Sequence, residues 1–182
     1  DLPHRDDMIR ALDMVAEMSD WGSPLPEGKA RAIALEEKGA EASGTATISA
    51  MVHTVSVSRE GVVRLDRVDV ALDQGFSLIN PLSVKKQLEG QIVWFYNDAM
   101  HQANTVLNGR IVENNFDRFS VSRIKEDPPE INIQFFETGH WMRGMGHDRA
   151  TSVQSGIGDA IFQITGKRFR DLPFSQHDLS WG

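Results

Sequence analysis

Cysteine is absent from the 182 residues of this chain. Disulfides, thiolate-bound zinc, iron–sulfur ligation and a thiol nucleophile are therefore excluded for it. Long apolar runs are lacking as well, since no stretch approaches the roughly 20 apolar residues that a membrane-spanning helix requires. The segment Asp1–Asp7 does not have the basic-then-apolar pattern of a signal peptide. These features leave the compartment open between cytoplasm and periplasm.

Positive charge is scarce. Lys and Arg total 19 against 26 Asp and Glu, which gives a net charge of −7. A chain with this balance and no long basic run repels a phosphate backbone, so nucleic acid is not expected as a partner. The hydrophobic content of 40% is that of an ordinary globular protein. We expect one domain over residues 1–182, with enough apolar residues for a single core.

Apolar periodicity predicts alternating helices and strands. Apolar residues at helical spacing predict a helix after Asp6, a longer one from Asn80-Pro81 to Val106, and a last one that ends at Gly166. Alternating apolar residues predict strands over Lys29–Leu35, Ala46–Val57, Val63–Leu72, Arg110–Val112 and Ile131–Phe135. Changes of phase in the second and third strands predict a β-bulge. The order of elements indicates an α+β fold, with helices packed on one face of an antiparallel sheet.

The longest predicted helix carries one apolar stripe. This stripe is expected to cover a sheet face that includes Ile48 and Val70. Gly90 lies in the middle of the helix, where glycine costs about 1 kcal/mol relative to alanine. Close packing of a backbone or a ligand is therefore expected at Gly90. The stripe consists of Val84, Leu88, Ile92, Phe95, Ala99, Ala103 and Val106.

Residues that could bind a metal are present, but not at a recognised spacing. His140 and His147 lack the arrangement of a helical zinc motif, in which two histidines four residues apart flank a glutamate. Scattered histidines are usually loop or surface residues, so no metal site is predicted. Asp66, Asp69 and Asp73 share a predicted strand. A solvated strand face is the better interpretation of these carboxylates than a paired acid–base site.

The segment Gly144-Met145-Gly146 is of a different kind. Two glycines that flank one residue permit positive φ angles and can expose N–H groups to a ligand at close range. Such a pair is most often only a turn. Because it precedes the last predicted helix, a contact with an anion or a cofactor is the alternative interpretation.

Several segments resemble one protein family in the same order along the chain. They are Asp73-Gln74-Gly75, Ile79-Asn80-Pro81, Gln87-Leu88-Glu89-Gly90-Gln91, Asn115-Phe116-Asp117-Arg118-Phe119, Asp127-Pro128-Pro129, and Asp159 to Arg168 with Leu172-Pro173. Together they resemble the large, molybdopterin-binding subunit of the molybdenum hydroxylases, the xanthine dehydrogenase and aldehyde oxidase superfamily. Within that superfamily the motifs most resemble the isoquinoline 1-oxidoreductase beta subunits. The resemblance covers nearly the whole chain.

The resemblance implies that this chain is the C-terminal, molybdopterin-binding domain of a longer subunit. That subunit would hydroxylate an N-heterocycle or an aldehyde with oxygen derived from water. The implied cofactor is molybdopterin cytosine dinucleotide, and the implied partners are the rest of the subunit and a two-iron–two-sulfur subunit. The implied cofactor contacts are Gly144, Met145 and Gly146. The family has a catalytic glutamate directly after this turn, whereas this chain has His147 there.

Two functions remain open at this point. In the first, the chain is a domain of an oxidoreductase that supplies one wall of the cofactor site and is inactive, and free of cofactor, when isolated. In the second, it is a non-catalytic binding or scaffolding module that kept the fold and lost the catalytic glutamate. His147 favours the second function. Molybdopterin-binding motifs upstream in a longer reading frame would favour the first.

Overall fold

A computed structural model describes residues 3–40, 45–126, 128, 130–141, 144–146 and 149–182. Its helices are α1 (Arg5–Met18), α2 (Pro81–Met100) and α3 (Ser152–Thr165). Its strands are β1 (Lys29–Ala40), β2 (Thr45–Val57), β3 (Val63–Asp73), β4 (Val106–Leu107), β5 (Arg110–Ile111) and β6 (Glu130–Phe136). None of the helices found in these residues is long and apolar enough to cross a membrane.

The main sheet is mixed. It has four strands in the order β1-β2-β3-β6. The first three form an antiparallel meander, in which Lys29 lies opposite Ser56, while β6 runs parallel to β3 with Val68 opposite Ile131. The expected α+β class is confirmed, but the sheet is not purely antiparallel. The long connection through α2 returns the chain in the direction of β3, as a parallel pair requires.

Helices cover both faces of the sheet, not one face as the sequence predicted. On one face α1 packs against Ile48, Ala50 and Ala71. On the other face α2 and α3 share a core with Val68 and Val70. Successive side chains of a strand point to opposite faces, and both series in β2 are apolar, so both faces need a cover. Ile48 therefore lies on the α1 face, and its expected place opposite α2 was wrong.

The predicted β-bulge lies in β3. Thr54 pairs with Arg67 and Val55 pairs with Leu65, so Asp66 is the additional residue on β3. The Asp66 carboxylate accepts a hydrogen bond from Lys29 Nζ at 2.7 Å. The bulge allows apolar residues on both sides of it to face the same core.

Local signals determine where α2 begins and ends. The Asn80 side chain accepts a hydrogen bond from the N–H of Ser83 at 3.0 Å, and proline occupies the first turn. The helix ends at Met100 rather than at the expected Val106. Val106 instead pairs with Ile111 in a short hairpin, because Asn108-Gly109 forms a turn with two left-handed residues.

α3 lies close to the sheet at Gly156. A Cβ atom at this position would lie 2.2 Å from Nδ1 of His53, which is fully buried in β2. No side chain larger than hydrogen fits there without moving the imidazole ring. The buried ring and the glycine together set the distance between α3 and β2.

Candidate functional site

The Gly144-Met145-Gly146 segment, which keeps the name glycine turn from the sequence prediction, is irregular backbone at the surface between β6 and α3. Both glycines are exposed, while Met145 is half-buried against the core that α2 and α3 share. Within the described residues, a Cβ atom at Gly144 would meet no other atom within 4 Å. The missing side chain therefore leaves room for a close approach at this position.

Two buried side chains hold the carbonyl groups of this turn. Gln91 Nε2, from α2, donates to the Gly146 oxygen at 2.7 Å. Arg149 Nη2 donates to the Gly144 oxygen at 2.8 Å. The Gln91 Oε1 atom also accepts the N–H of Arg149 at 2.8 Å, so Gln91 bridges both sides of the turn. Hydrogen bonds made by buried side chains are costly to break, so these contacts hold the turn in position against α2.

A third contact comes from the end of β3. Gln74 Nε2 donates to the Met145 sulfur at 3.1 Å. The Gln74 Oε1 atom is buried and has no hydrogen-bond partner in the described part of the chain. Gln74, Gln91 and the glycine turn belong to separate sequence segments. Gln74 and Gln91 lie within two of the segments that resemble the family, although neither residue is itself part of the family pattern. The fold brings these segments together at one place.

A groove next to the turn has a volume of about 390 Å³, in the range of small-molecule sites. It is lined by Lys86, Gln87, Gly90, Gln91 and Trp94. Gly90 is exposed, and a Cβ atom there would meet nothing within 4 Å. No backbone therefore packs against Gly90 within the described residues, and the alternative of a ligand contact stays a prediction. Gln91 lines the groove and also donates to the Gly146 oxygen, so one side chain contacts both the groove and the turn.

Of the two histidines that were candidates from the sequence, only His140 lies within the described residues. His147, the residue at the position of the family glutamate, lies outside the described residues. His140 is turned towards α1, where its Nε2 atom is 3.0 Å from Asp7 Oδ2. The catalytic role of His147 therefore stays a prediction, whereas His140 contacts Asp7 of α1.

The interpretation of the β3 carboxylates as a solvated face was wrong. Asp69 and Asp73 are fully buried because α1 covers that face of the sheet. Asp69 forms an ion pair with Arg67 at 2.7 Å. Asp73 accepts the N–H of Gly75 at 2.7 Å and the hydroxyl of Thr138 at 3.0 Å, while burial raises its pKa. Both carboxylates have partners, so they stabilise the fold rather than form an acid–base pair.

Sequence reasoning missed the residues that shape the turn. Gln91 and Arg149 were not singled out, although Gln91 interrupts the apolar stripe of α2 between Leu88 and Ile92. A polar residue on a buried helix face needs a partner. That signal was available in the sequence, but the identity of the partner was not.

Comparisons with known proteins give relatives for almost the whole chain, although no family model matches it. The chain is 30% identical to a membrane-bound aldehyde dehydrogenase (pyrroloquinoline-quinone) of Gluconacetobacter polyoxogenes over 91% of its own length and 21% of the relative's. It is 29% identical to isoquinoline 1-oxidoreductase subunit beta of Brevundimonas diminuta over 87% of its length and 20% of the relative's.

The fold also has solved relatives. The aldehyde oxidoreductase from Desulfovibrio desulfuricans matches 70% of this chain with 14% of its own, at a TM-score of 0.62 and 22% identity. This likeness shows the fold. The chain spans only about a fifth of the length of the two curated relatives above. The ordered motifs, the sequence relatives and the fold together support the resemblance of this chain to the molybdenum hydroxylase superfamily.

Proposed function

We propose that this chain is the C-terminal domain of the large subunit of a molybdenum hydroxylase and forms one wall of its molybdopterin site. One observation carries the proposal. Two motif segments of the family resemblance, the end of β3 and the middle of α2, hold the Gly144-Met145-Gly146 turn through Gln74 and Gln91. Buried side chains from two elements fix the position of this loop. A binding site requires such fixed positions, whereas an ordinary surface turn does not.

The residues present fit a close contact with a flat, polar group. Gly144 and Gly90 both leave open the space that a Cβ atom would fill. Gly144, Met145 and Gly146 would hold the cofactor at the turn, while Gln91 and Arg149 keep the turn in shape. When bound, the cofactor supplies the redox centre at which the substrate is oxidised. Molybdopterin cytosine dinucleotide needs many convergent contacts, so the rest of the subunit must supply most of them.

The proposed reaction of the complete subunit is the hydroxylation of an aldehyde or an N-heterocycle with oxygen derived from water. The names of the two curated relatives support these substrate classes, since one is an aldehyde dehydrogenase and the other an isoquinoline oxidoreductase. The first of these names also records pyrroloquinoline-quinone, which is a different cofactor. Measuring molybdenum separates the two possibilities, because only the molybdopterin cofactor brings that metal.

Exposed apolar side chains support a place inside a larger assembly. Phe116 is 97% exposed and Ile124 is 90% exposed, and the short β4–β5 hairpin before them exposes Val106 and Leu107. Soluble monomers seldom expose large apolar side chains so close together in the chain. We propose that the rest of the large subunit covers this segment, and that a two-iron–two-sulfur subunit is the further partner. The isolated chain is then expected to be inactive.

A non-catalytic scaffolding role is the second candidate, and His147 favours it. The test is His147→Glu in the full-length subunit, assayed with aldehydes and N-heterocycles. A placed general base contributes about 10²–10⁴-fold to a rate. The imidazole of His147 is expected to supply only part of this contribution in the parent, so turnover in the His147→Glu variant should rise at least about tenfold. His177→Glu, in the C-terminal segment, is the matched control and should not raise turnover.

The possible outcomes separate the two functions. A faster His147→Glu variant supports the enzyme and the place of His147 beside the cofactor. An active parent with no gain in the variant would show that His147 is already a competent base or is not at the base position. No turnover by either protein favours the scaffolding module.

A further inference from the structure

Away from the glycine turn, two histidines and a carboxylate converge. His4, Asp7 and His140 each offer one ligand atom, and these atoms all lie within 4.8 Å of one another. The first two belong to the start of α1, and the third follows β6, far away in sequence. None of them contributes to the site proposed above.

Pairwise contacts link these side chains. His140 Nε2 lies 3.0 Å from Asp7 Oδ2. The imidazole rings of His4 and His140 meet edge to face, with centroids 4.0 Å apart and planes at 84°. Glu37 Oε1 lies 3.7 Å from His4 Nε2, beside the group of three. Two imidazole nitrogens with carboxylate oxygen are a donor set that zinc and other divalent transition metals prefer.

Other contacts hold the two halves of this cluster in place. The Thr138 hydroxyl donates to buried Asp73 at 3.0 Å and accepts the N–H of His140 at 3.4 Å, which orients the His140 backbone. Arg10 Nη1 donates to the backbone carbonyl oxygen of Glu137 at 3.2 Å, which links α1 to the segment that carries His140. Ligands held by a supporting shell lose less freedom when a metal binds.

The cluster is open to solvent on one side. The side chains of His4, Asp7 and His140 are 21%, 30% and 23% exposed. An ion can therefore enter, and water can complete its coordination. The pair His177–Asp171 is a useful contrast, because it has a similar His–Asp contact at 3.4 Å but belongs to no such ligand group in the described residues.

We propose that His4, Asp7 and His140 bind one divalent transition-metal ion, for which Zn²⁺ is the probe, and that the ion fastens α1 to the segment after β6. Calcium and magnesium prefer oxygen ligands throughout and do not suit two imidazoles. The site uses none of the residues of the proposed cofactor site. The metal-site proposal can therefore be tested independently of the proposed function.

The test is calorimetric titration of the 182-residue chain with Zn²⁺, together with its melting temperature with and without the ion. His4→Asn removes one nitrogen ligand and suits the left-handed backbone at this position, where φ is 56°. The parent is expected to bind Zn²⁺ and to melt at a higher temperature with it. The His4→Asn variant is expected to bind at least about tenfold more weakly and to show little change in melting.

His140→Asn removes the ligand on the other segment and should weaken binding in the same way, whereas His177→Asn should bind Zn²⁺ as the parent does. A folded parent that takes up no Zn²⁺ would overturn the proposal. So would parental affinity in both the His4→Asn and the His140→Asn variants, because the ion would then lie elsewhere.

Discussion

Replacing Phe95 by alanine is expected to lower the free energy of unfolding by about 3–5 kcal/mol. Phe95 lies on α2 and is 8% exposed. It belongs to the core that α2 and α3 share with Val68 and Val70 of β3. The variant loses both the burial of the aromatic ring and the contacts around the cavity left behind. Denaturant unfolding followed by circular dichroism measures the difference.

The neighbouring residue provides a matched control. Trp94 is 59% exposed on the same helix, so Trp94→Ala removes a larger ring from a mostly solvated position. The expected loss for this control is below about 1 kcal/mol. A loss below about 1 kcal/mol for Phe95→Ala as well would show that the apolar stripe of α2 does not face the core.

Acid is expected to destabilise the fold by about 3 kcal/mol through His53 alone. His53 is fully buried, and neither ring nitrogen has a well-formed hydrogen bond in the described residues. Burial lowers its pKa from 6.5 to about 4, and the nearby backbone of Ala32 offsets this only in part. The ring packed against Gly156 cannot easily turn towards water.

The direction in which pH changes the free energy of unfolding follows from proton binding at His53. Between pH 6.5 and about 4 the unfolded chain binds a proton at His53 that the folded chain does not bind. The contribution of the neutral ring is fully present above pH 6.5 and is lost as the pH falls towards 4. The free energy of unfolding should therefore decrease over this window.

His53→Leu isolates this effect, because leucine cannot take up a proton. Carboxylates such as Asp73 are common to the parent and the variant, so the difference between their stability curves reports His53. The free energy of unfolding of the parent minus that of the variant is expected to decrease by about 3 kcal/mol as the pH falls from 6.5 to about 4. Parallel curves over that range would mean that His53 is solvated in the folded chain.

Local chemistry explains which parts of the fold the sequence could predict. The start of α2 was predicted from Asn80-Pro81, because capping and the fixed φ of proline act within a few residues. The second covered face was not predicted. Alternation shows that both faces of β2 are apolar, but it does not say which helix covers each of them.

The same distinction applies to the sites. The Gly144-Met145-Gly146 segment was singled out because its signal lies within three residues, and its role as a cofactor contact stays a prediction. Its supports were missed, since Gln91 and Gly146 are joined only by the packing of α2 under the turn. His140 was considered beside His147, its neighbour in sequence, whereas its contacts are with α1. Contacts between distant segments have no periodicity or spacing that a single sequence displays.

The molybdenum content of the full-length protein that contains this chain tests the proposed function most directly. We expect stoichiometric molybdenum in that protein and none in the isolated chain, because the Gly144–Gly146 turn supplies only a few of the contacts that the cofactor needs. Elemental analysis of both, after expression in a host that makes the cofactor, gives the answer. A full-length protein without molybdenum would contradict the assignment, and an isolated chain that retains it would contradict the need for the rest of the subunit.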